Sequence, residues 1–228
     1  AILWLVRRPP ATFAWSLAGL TVMMGLSFWT AQLSMRDPSE QGAYLAFASV
    51  IVMWSWHEMA FLTGWLAGPR RRALDAGLRG WPRFVQSTQA VLWHELALAA
   101  HFGLLWWMQP AQGSHVALCT FAVLWFMRFS AKLNLFLGVP ETGEQYLPAR
   151  LRYLASYFRR GPLSLFFFLS VGVSIASWVG LVWQAQHGET VVSTGWVLLA
   201  ALLGLAIVEH LIMAFPTPMQ KLWSWAMP

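Results

Sequence analysis

Apolar residues in this chain come in long runs, not in strict alternation or short amphipathic turns. Six of the runs are about 20 residues long, the length a helix needs to cross the ~30 Å hydrocarbon layer of a bilayer. They cover residues 11–33, 43–66, 88–108, 115–137, 163–184 and 192–215. Pro9 and Pro10 precede the first, at a helix start that does not need the proline N–H. Gly68 and Pro69 close the second, and Pro216 and Pro218 stop the sixth. The turn from Gln109 to Ser114 is short enough to make the third and fourth runs antiparallel neighbours. The pattern predicts a single all-α transmembrane domain over residues 1–228, a polytopic bundle of about six helices.

Two polar connectors interrupt the runs, at 67–87 and 138–162. The first is basic from Arg70 to Gln86, with Trp81 suited to the headgroup layer. The second carries Leu147, Leu151, Leu154 and Phe158 at helical spacing, flanked by Arg150, Arg152, Arg159 and Arg160. That stripe predicts an interfacial helix on the membrane surface, able also to dock another membrane subunit. With both termini cytoplasmic, every one of the 15 basic residues except Arg36 falls on the inner side or at the inner end of a span. The asymmetry predicts an N-in, C-in chain.

Composition agrees with this reading. The chain is 58% hydrophobic and 11% charged, against roughly 25% charged in a soluble domain, and its mean hydropathy is +0.53. A net charge of +6 would prompt a nucleic-acid reading in a soluble protein. Here the positive-inside bias accounts for it, and no nucleic-acid partner is expected. One cysteine, Cys119, in an apolar run offers neither a disulfide framework nor a metal motif and reads as packing. No cleavable signal peptide is evident, because the apolar stretch before Arg7 is too short.

Ionisable residues inside a span are costly and mark a candidate site by default. The second run carries His57-Glu58, the third His94-Glu95 with His101 beyond, and the sixth Glu209-His210. At a rise of about 1.5 Å per residue the three pairs fall roughly 8 to 14 Å from the same end of their helices. Arg128, Lys132 and Asn134 of the fourth run reach that layer. Adjacent helical residues diverge by about 100°, so one member of each pair faces the core while the other faces a neighbouring helix. His115 and His187 lie at span ends on the outer side.

Three chemistries remain open for this layer. One is a structural network in which Glu58, Glu95 and Glu209 are compensated by Arg128, Lys132 and the imidazoles, with Asn134 nearby. Another is a mononuclear metal site of His57, His94 and Glu209 or His210. The spacing that puts two ligands on one helical face, Glu-x-x-His or His-x-x-x-His, is absent. The third is axial ligation of a chlorophyll magnesium or a haem iron by His57, His94 or His210, with His101 a weaker choice. Trp54, Trp56, Phe61 and Gly64 near His57, and Trp93 and Phe102 near His94 and His101, would suit a flat ring.

Particular strings are more specific. His57-Glu58-Met59-Ala60-Phe61-Leu62-Thr63-Gly64 runs on to Gly68-Pro69-Arg70 and is followed by Trp93-His94-Glu95-Leu96-Ala97-Leu98. Then come the unbroken string from Ser130 to Pro140, Leu147-Pro148, the string from Tyr153 to Phe158, and Glu209-His210 before Leu222-Trp223. Together they resemble the PuhE family of bacterial photosynthetic complex assembly proteins, from about Ile51 to Trp225. Glu141 departs from the family string, which often has asparagine there. The resemblance implies an inner-membrane or intracytoplasmic-membrane protein of phototrophic bacteria that supports assembly of the reaction centre and light-harvesting ring. It implies those subunits, membrane lipid and pigment-biosynthesis proteins as partners, with bacteriochlorophyll as a candidate cofactor. It supplies no catalytic mechanism, so a non-enzymatic assembly factor is the first reading. A metal-dependent enzyme of tetrapyrrole or carotenoid metabolism and a permanent accessory subunit are the alternatives.

Overall fold

Local backbone chemistry sets the breaks between the apolar runs. Asp37 accepts the amide of Ser39 at 2.9 Å, and the Ser39 hydroxyl accepts the amide of Gly42 at 3.1 Å. The next helix therefore begins on a side-chain cap, with Glu40 in its first turn complementing the helix dipole. Ser164 caps a later helix in the same way, accepting the amide of Phe167 at 3.3 Å. Gly138, with φ +137°, takes a conformation unfavourable for residues bearing a Cβ and ends the helix at Leu137.

The computed structural model describes residues 2–188 and 190–215 and is all-α. Its helices are α1 (Ile2–Val6), α2 (Phe13–Ser34), α3 (Glu40–Leu62), α4 (Gly80–Met108), α5 (Val116–Leu137), α6 (Leu165–His187) and α7 (Thr190–Ala214). Short 3₁₀ helices cover Pro10–Thr12, Glu144–Tyr146 and Ala149–Tyr157. No strand occurs among the described residues, only an isolated bridge between Val139 and Arg160. Pro216, Pro218, Lys221, Leu222, Trp223 and Trp225 lie outside the described residues. Central α3 packs against α2, α4, α5 and α7, and α6 packs along α7. An apolar cluster around Val50, Met53, Leu98, Leu105 and Phe121 holds the middle of the bundle.

Five helical stretches, Pro10–Ser34, Glu40–Leu62, Val116–Leu137, Leu165–His187 and Ser193–Ala214, are long and apolar enough to cross a membrane. This is a membrane protein. Six such spans are expected from the sequence, and α4 is the one that differs. At 29 residues it is long enough, but its interior carries Gln86, Ser87, Gln89, His94, Glu95 and His101. It also starts eight residues before the expected position, so Arg83 and Gln86 are helical. Arg83 anchors this extension of about two turns by donating to the carbonyls of Phe136 at 2.9 Å and Tyr157 at 2.8 Å.

The two connectors meet at one end of the bundle. The Tyr157 hydroxyl accepts from Arg70 Nε and donates to the Arg72 carbonyl, both at 2.8 Å. The Leu74 amide donates to Ser156 Oγ at 2.8 Å. The first and last long helices both reach this cap, since Arg150 lies over the Phe13 ring at 5.2 Å and the Glu141 amide donates to the Met213 carbonyl at 3.1 Å. At the opposite end the Ser114 amide donates to the Met35 carbonyl at 2.8 Å.

Residues 138–162 do not form the expected interfacial α-helix. Residues 149–157 form a 3₁₀ helix, whose period of three brings Leu151, Leu154 and Tyr157 onto one side. That side is buried against Phe61, Ala67 and Ala90, with Leu147 and Phe158 packed on the cluster's flank. The stripe is consumed inside the protein and does not face lipid.

Candidate functional site

The loop after α3 folds back against the middle of α4. The Ala67 carbonyl accepts the amide of His94 at 3.0 Å, and the Arg70 amide donates to the Gln89 carbonyl at 3.4 Å. Gly68 lies so close to the Gln89 and Ala90 backbone that a Cβ there would overlap the Gln89 carbonyl. Only glycine permits this approach, which fixes the register of α4 against α3 and so the position of the layer's second histidine.

Both His-Glu pairs then divide as helical geometry requires. Glu58 and Glu95 turn toward α5. Arg128 donates to Glu58 at 3.0 Å, and Lys132 forms an ion pair with Glu95. Trp125 Nε1 also donates to Glu95, at 3.2 Å. Trp125, Arg128 and Lys132 follow one another at i, i+3 and i+7, which places them on one face of α5. Ser130 and Asn134, rotated half a turn away, face the other side. Asn134 donates to Ser170 Oγ of α6 at 3.2 Å, so it belongs to the α5–α6 contact and not to the ion pairs.

The histidines point the opposite way, into the bundle. His57 and His94 are 3% and 1% exposed, with ring centroids 6.4 Å apart and edge-on. His57 Nε2 and His101 Nδ1 share a hydrogen bond of 2.8 Å, and His101 Nε2 lies 3.3 Å from Met53 Sδ. Thioether sulfur accepts and cannot donate, so the neutral arrangement satisfying both contacts has His101 donating to Met53 and His57 Nε2 donating to His101. The remaining nitrogen, His57 Nδ1, then carries a bare lone pair, and it is buried without a hydrogen bond, as are both nitrogens of His94. Phe28 and Phe121 stack on the His101 ring at 4.6 and 4.7 Å, and Phe61 lies 4.5 Å from that of His94.

The third pair does not join this layer. Glu209 lies on an exposed side of α7. His210 Nε2 is 3.0 Å from Ser130 Oγ and its Nδ1 is 2.9 Å from the Ala206 carbonyl. Both ring nitrogens are therefore engaged, with Nδ1–H donating and Nε2 accepting. The metal set of His57, His94 and Glu209 or His210 is not assembled, and among the described residues no three His, Cys, Asp or Glu side chains come together as metal ligands.

The same geometry tests tetrapyrrole ligation. A ligand nitrogen must be free and must have a slot beside it for a planar macrocycle. His101 and His210 have no free nitrogen. His57 and His94 have free nitrogens, but a slot of that size would leave their rings exposed, and they are buried among aromatic rings. The packing does not accommodate the macrocycle. Trp125, Met53, Phe121 and Ser130 are partners that the sequence reading did not assign. Trp125 and Ser130 could have been found from their i, i+3 and i+4 spacing to Arg128 and Asn134; nothing local marks Met53 or Phe121.

Fold and site together define a helical membrane protein with a charged and imidazole-bearing layer at the centre of its bundle. The chain belongs to the family described as protein of unknown function DUF3623, whose model matches residues 1–228. It is 38% identical over 236 residues to an uncharacterized 30.4 kDa protein in the puhA 5′ region of Rhodobacter capsulatus, spanning 100% of this chain and 85% of that relative. No solved structure matches.

Proposed function

We propose that this protein is a non-enzymatic assembly factor for the bacterial photosynthetic reaction centre and its light-harvesting antenna. The observation that carries the reading is the full-length similarity to a protein in the puhA 5′ region of Rhodobacter capsulatus, together with the PuhE-like strings. In this reading the chain sits in the inner or intracytoplasmic membrane with six crossings and both ends on the cytoplasmic side. Its cap carries the basic connectors, as the positive-inside rule requires.

The ion pairs support a holding role over a catalytic one. Glu58 and Glu95 are neutralised by Arg128 and Lys132 within the bundle, and His210 is held by Ser130. Subunits would dock on exposed aromatic side chains, such as Trp15 and Trp29 of α2 and Trp106 and Trp107 of α4. Storage of bacteriochlorophyll at His57 or His94 is not part of this reading, because the packing leaves no slot.

The test is a gene deletion combined with purification of a tagged full chain in mild detergent. Lost reaction-centre accumulation, unchanged pigment intermediates and co-purifying reaction-centre or antenna polypeptides are the expected results. Changed pigment intermediates with normal subunit levels would replace this reading with an enzyme of tetrapyrrole or carotenoid metabolism. Stoichiometric presence in the mature complex would make the protein a permanent accessory subunit.

A further inference from the structure

We propose that the cap contains a phosphate-binding site built on Arg71 and Arg150, a function separate from the central polar layer. These arginines come from different connectors, 79 positions apart in sequence, and line one cavity of about 590 Å³ together with Thr63, Trp65 and Tyr153. That volume lies within the ~300–1,000 Å³ range of ordinary ligand sites. The described lining contains no acidic side chain.

Three observations point to an anion with several oxygens. Neighbouring Arg70 and Arg72 have Asp75 at 2.6 and 3.9 Å, whereas neither Arg71 nor Arg150 pairs with a carboxylate among the described residues. Each makes one long hydrogen bond to a backbone carbonyl, Arg71 to Trp65 at 3.4 Å and Arg150 to Thr63 at 3.5 Å, and Arg150 also lies over the Phe13 ring. Most of their N–H donors stay free for the bidentate contacts that guanidinium makes to phosphate. Tyr153 lines the same cavity, and its hydroxyl has no hydrogen bond among the described residues.

The position suits a group at membrane depth. The apolar helix α3 ends at Leu62, one residue before Thr63 of the cavity wall, and Trp65 at the rim is 62% exposed, as expected for an aromatic at headgroup level. A phosphate there can come from an anionic lipid or from a soluble phosphate.

The full chain in uncharged detergent is titrated with short-chain phosphatidylglycerol and, separately, with inorganic phosphate, and binding is read by calorimetry. Saturable 1:1 binding of either is expected; binding of the lipid alone assigns a lipid headgroup, and binding of inorganic phosphate assigns a soluble ligand. R71Q/R150Q should weaken binding by about tenfold or more, since two charge-assisted contacts are removed. The charge-matched control R79Q/R152Q, exposed and outside the cavity, should stay within about twofold. R71Q alone, which loses only the contact to the Trp65 carbonyl, serves if the double variant does not fold. No saturable binding of either probe, or equal weakening in the control, overturns the proposal.

Discussion

On α3 and on α4 the same dipeptide, histidine then glutamate, is divided between two environments, and the halves differ in how completely their polar groups are matched. Toward α5, Glu95 accepts from Lys132 and Trp125, and Glu58 accepts from Arg128. Toward the bundle interior, His94 makes no ring hydrogen bond and His57 has one nitrogen unmatched. A one-residue step, about 100° of helix, separates a compensated face from an under-matched one. The charged face holds α3, α4 and α5 together. The imidazole face is carried against stability, as polar groups buried without partners are, and such groups concentrate at functional sites.

The charged face should show the largest effects of substitution. Glu95→Ala leaves Lys132 without its carboxylate and should reduce stability by about 3 kcal/mol or more, read as a lower melting temperature in detergent. Gly68→Ala should follow at about 2 kcal/mol, because the new Cβ overlaps the Gln89 carbonyl and pushes the loop off α4. A Gly68→Ala protein as stable as the parent would remove the loop contact as the element that sets the position of His94. Glu58→Ala should reduce stability by only about 1 kcal/mol, since Arg128 is partly exposed and can reach solvent. Glu209→Ala, on an exposed flank of α7, should change stability by less than about 0.5 kcal/mol. If it matched Glu95→Ala, Glu209 would belong to the layer after all.

The smallest effect lies in the cap and depends on pH. Gln86 and Arg70 hydrogen-bond the Asp75 carboxylate and hold its pKa below the usual 3.8. The folded state therefore binds this proton less readily than the unfolded chain. The contribution is present above the ordinary carboxylate value and is lost as pH falls through the lowered one. Asp75→Asn should flatten the acid limb of the melting curve slightly and leave neutral pH nearly unchanged.

Much of this arrangement is legible in the sequence because the bilayer simplifies the rules. Long apolar runs mark the helices, and the 100° step between His and Glu follows from helix geometry alone. Depth is legible too, but facing is not. Glu209 and His210 lie at a suitable height, yet α7 turns Glu209 outward and gives His210 to Ser130, because rotation of a helix uniformly apolar elsewhere is set by tertiary packing. Asn134 likewise reaches the right height, and its facing gives it to Ser170 of α6. The connectors deceive more deeply, since an apolar stripe at spacings of three and four reads as a membrane-facing α-helix and is in fact a 3₁₀ segment packed on Phe61 and Ala90.

The most direct test of the account is His94→Leu in the chromosome of a phototrophic host, with melting temperature, protein abundance and near-infrared reaction-centre absorption measured together. Replacing a buried imidazole whose nitrogens make no hydrogen bond by an apolar side chain of similar size should leave the melting temperature unchanged or raised. If the imidazole face serves the proposed assembly role, reaction-centre accumulation should nevertheless fall. A melting temperature lowered as far as that of Glu95→Ala would contradict the division between a stabilising charged face and an under-matched imidazole face, and full reaction-centre accumulation in the variant would remove that face from the proposed assembly role.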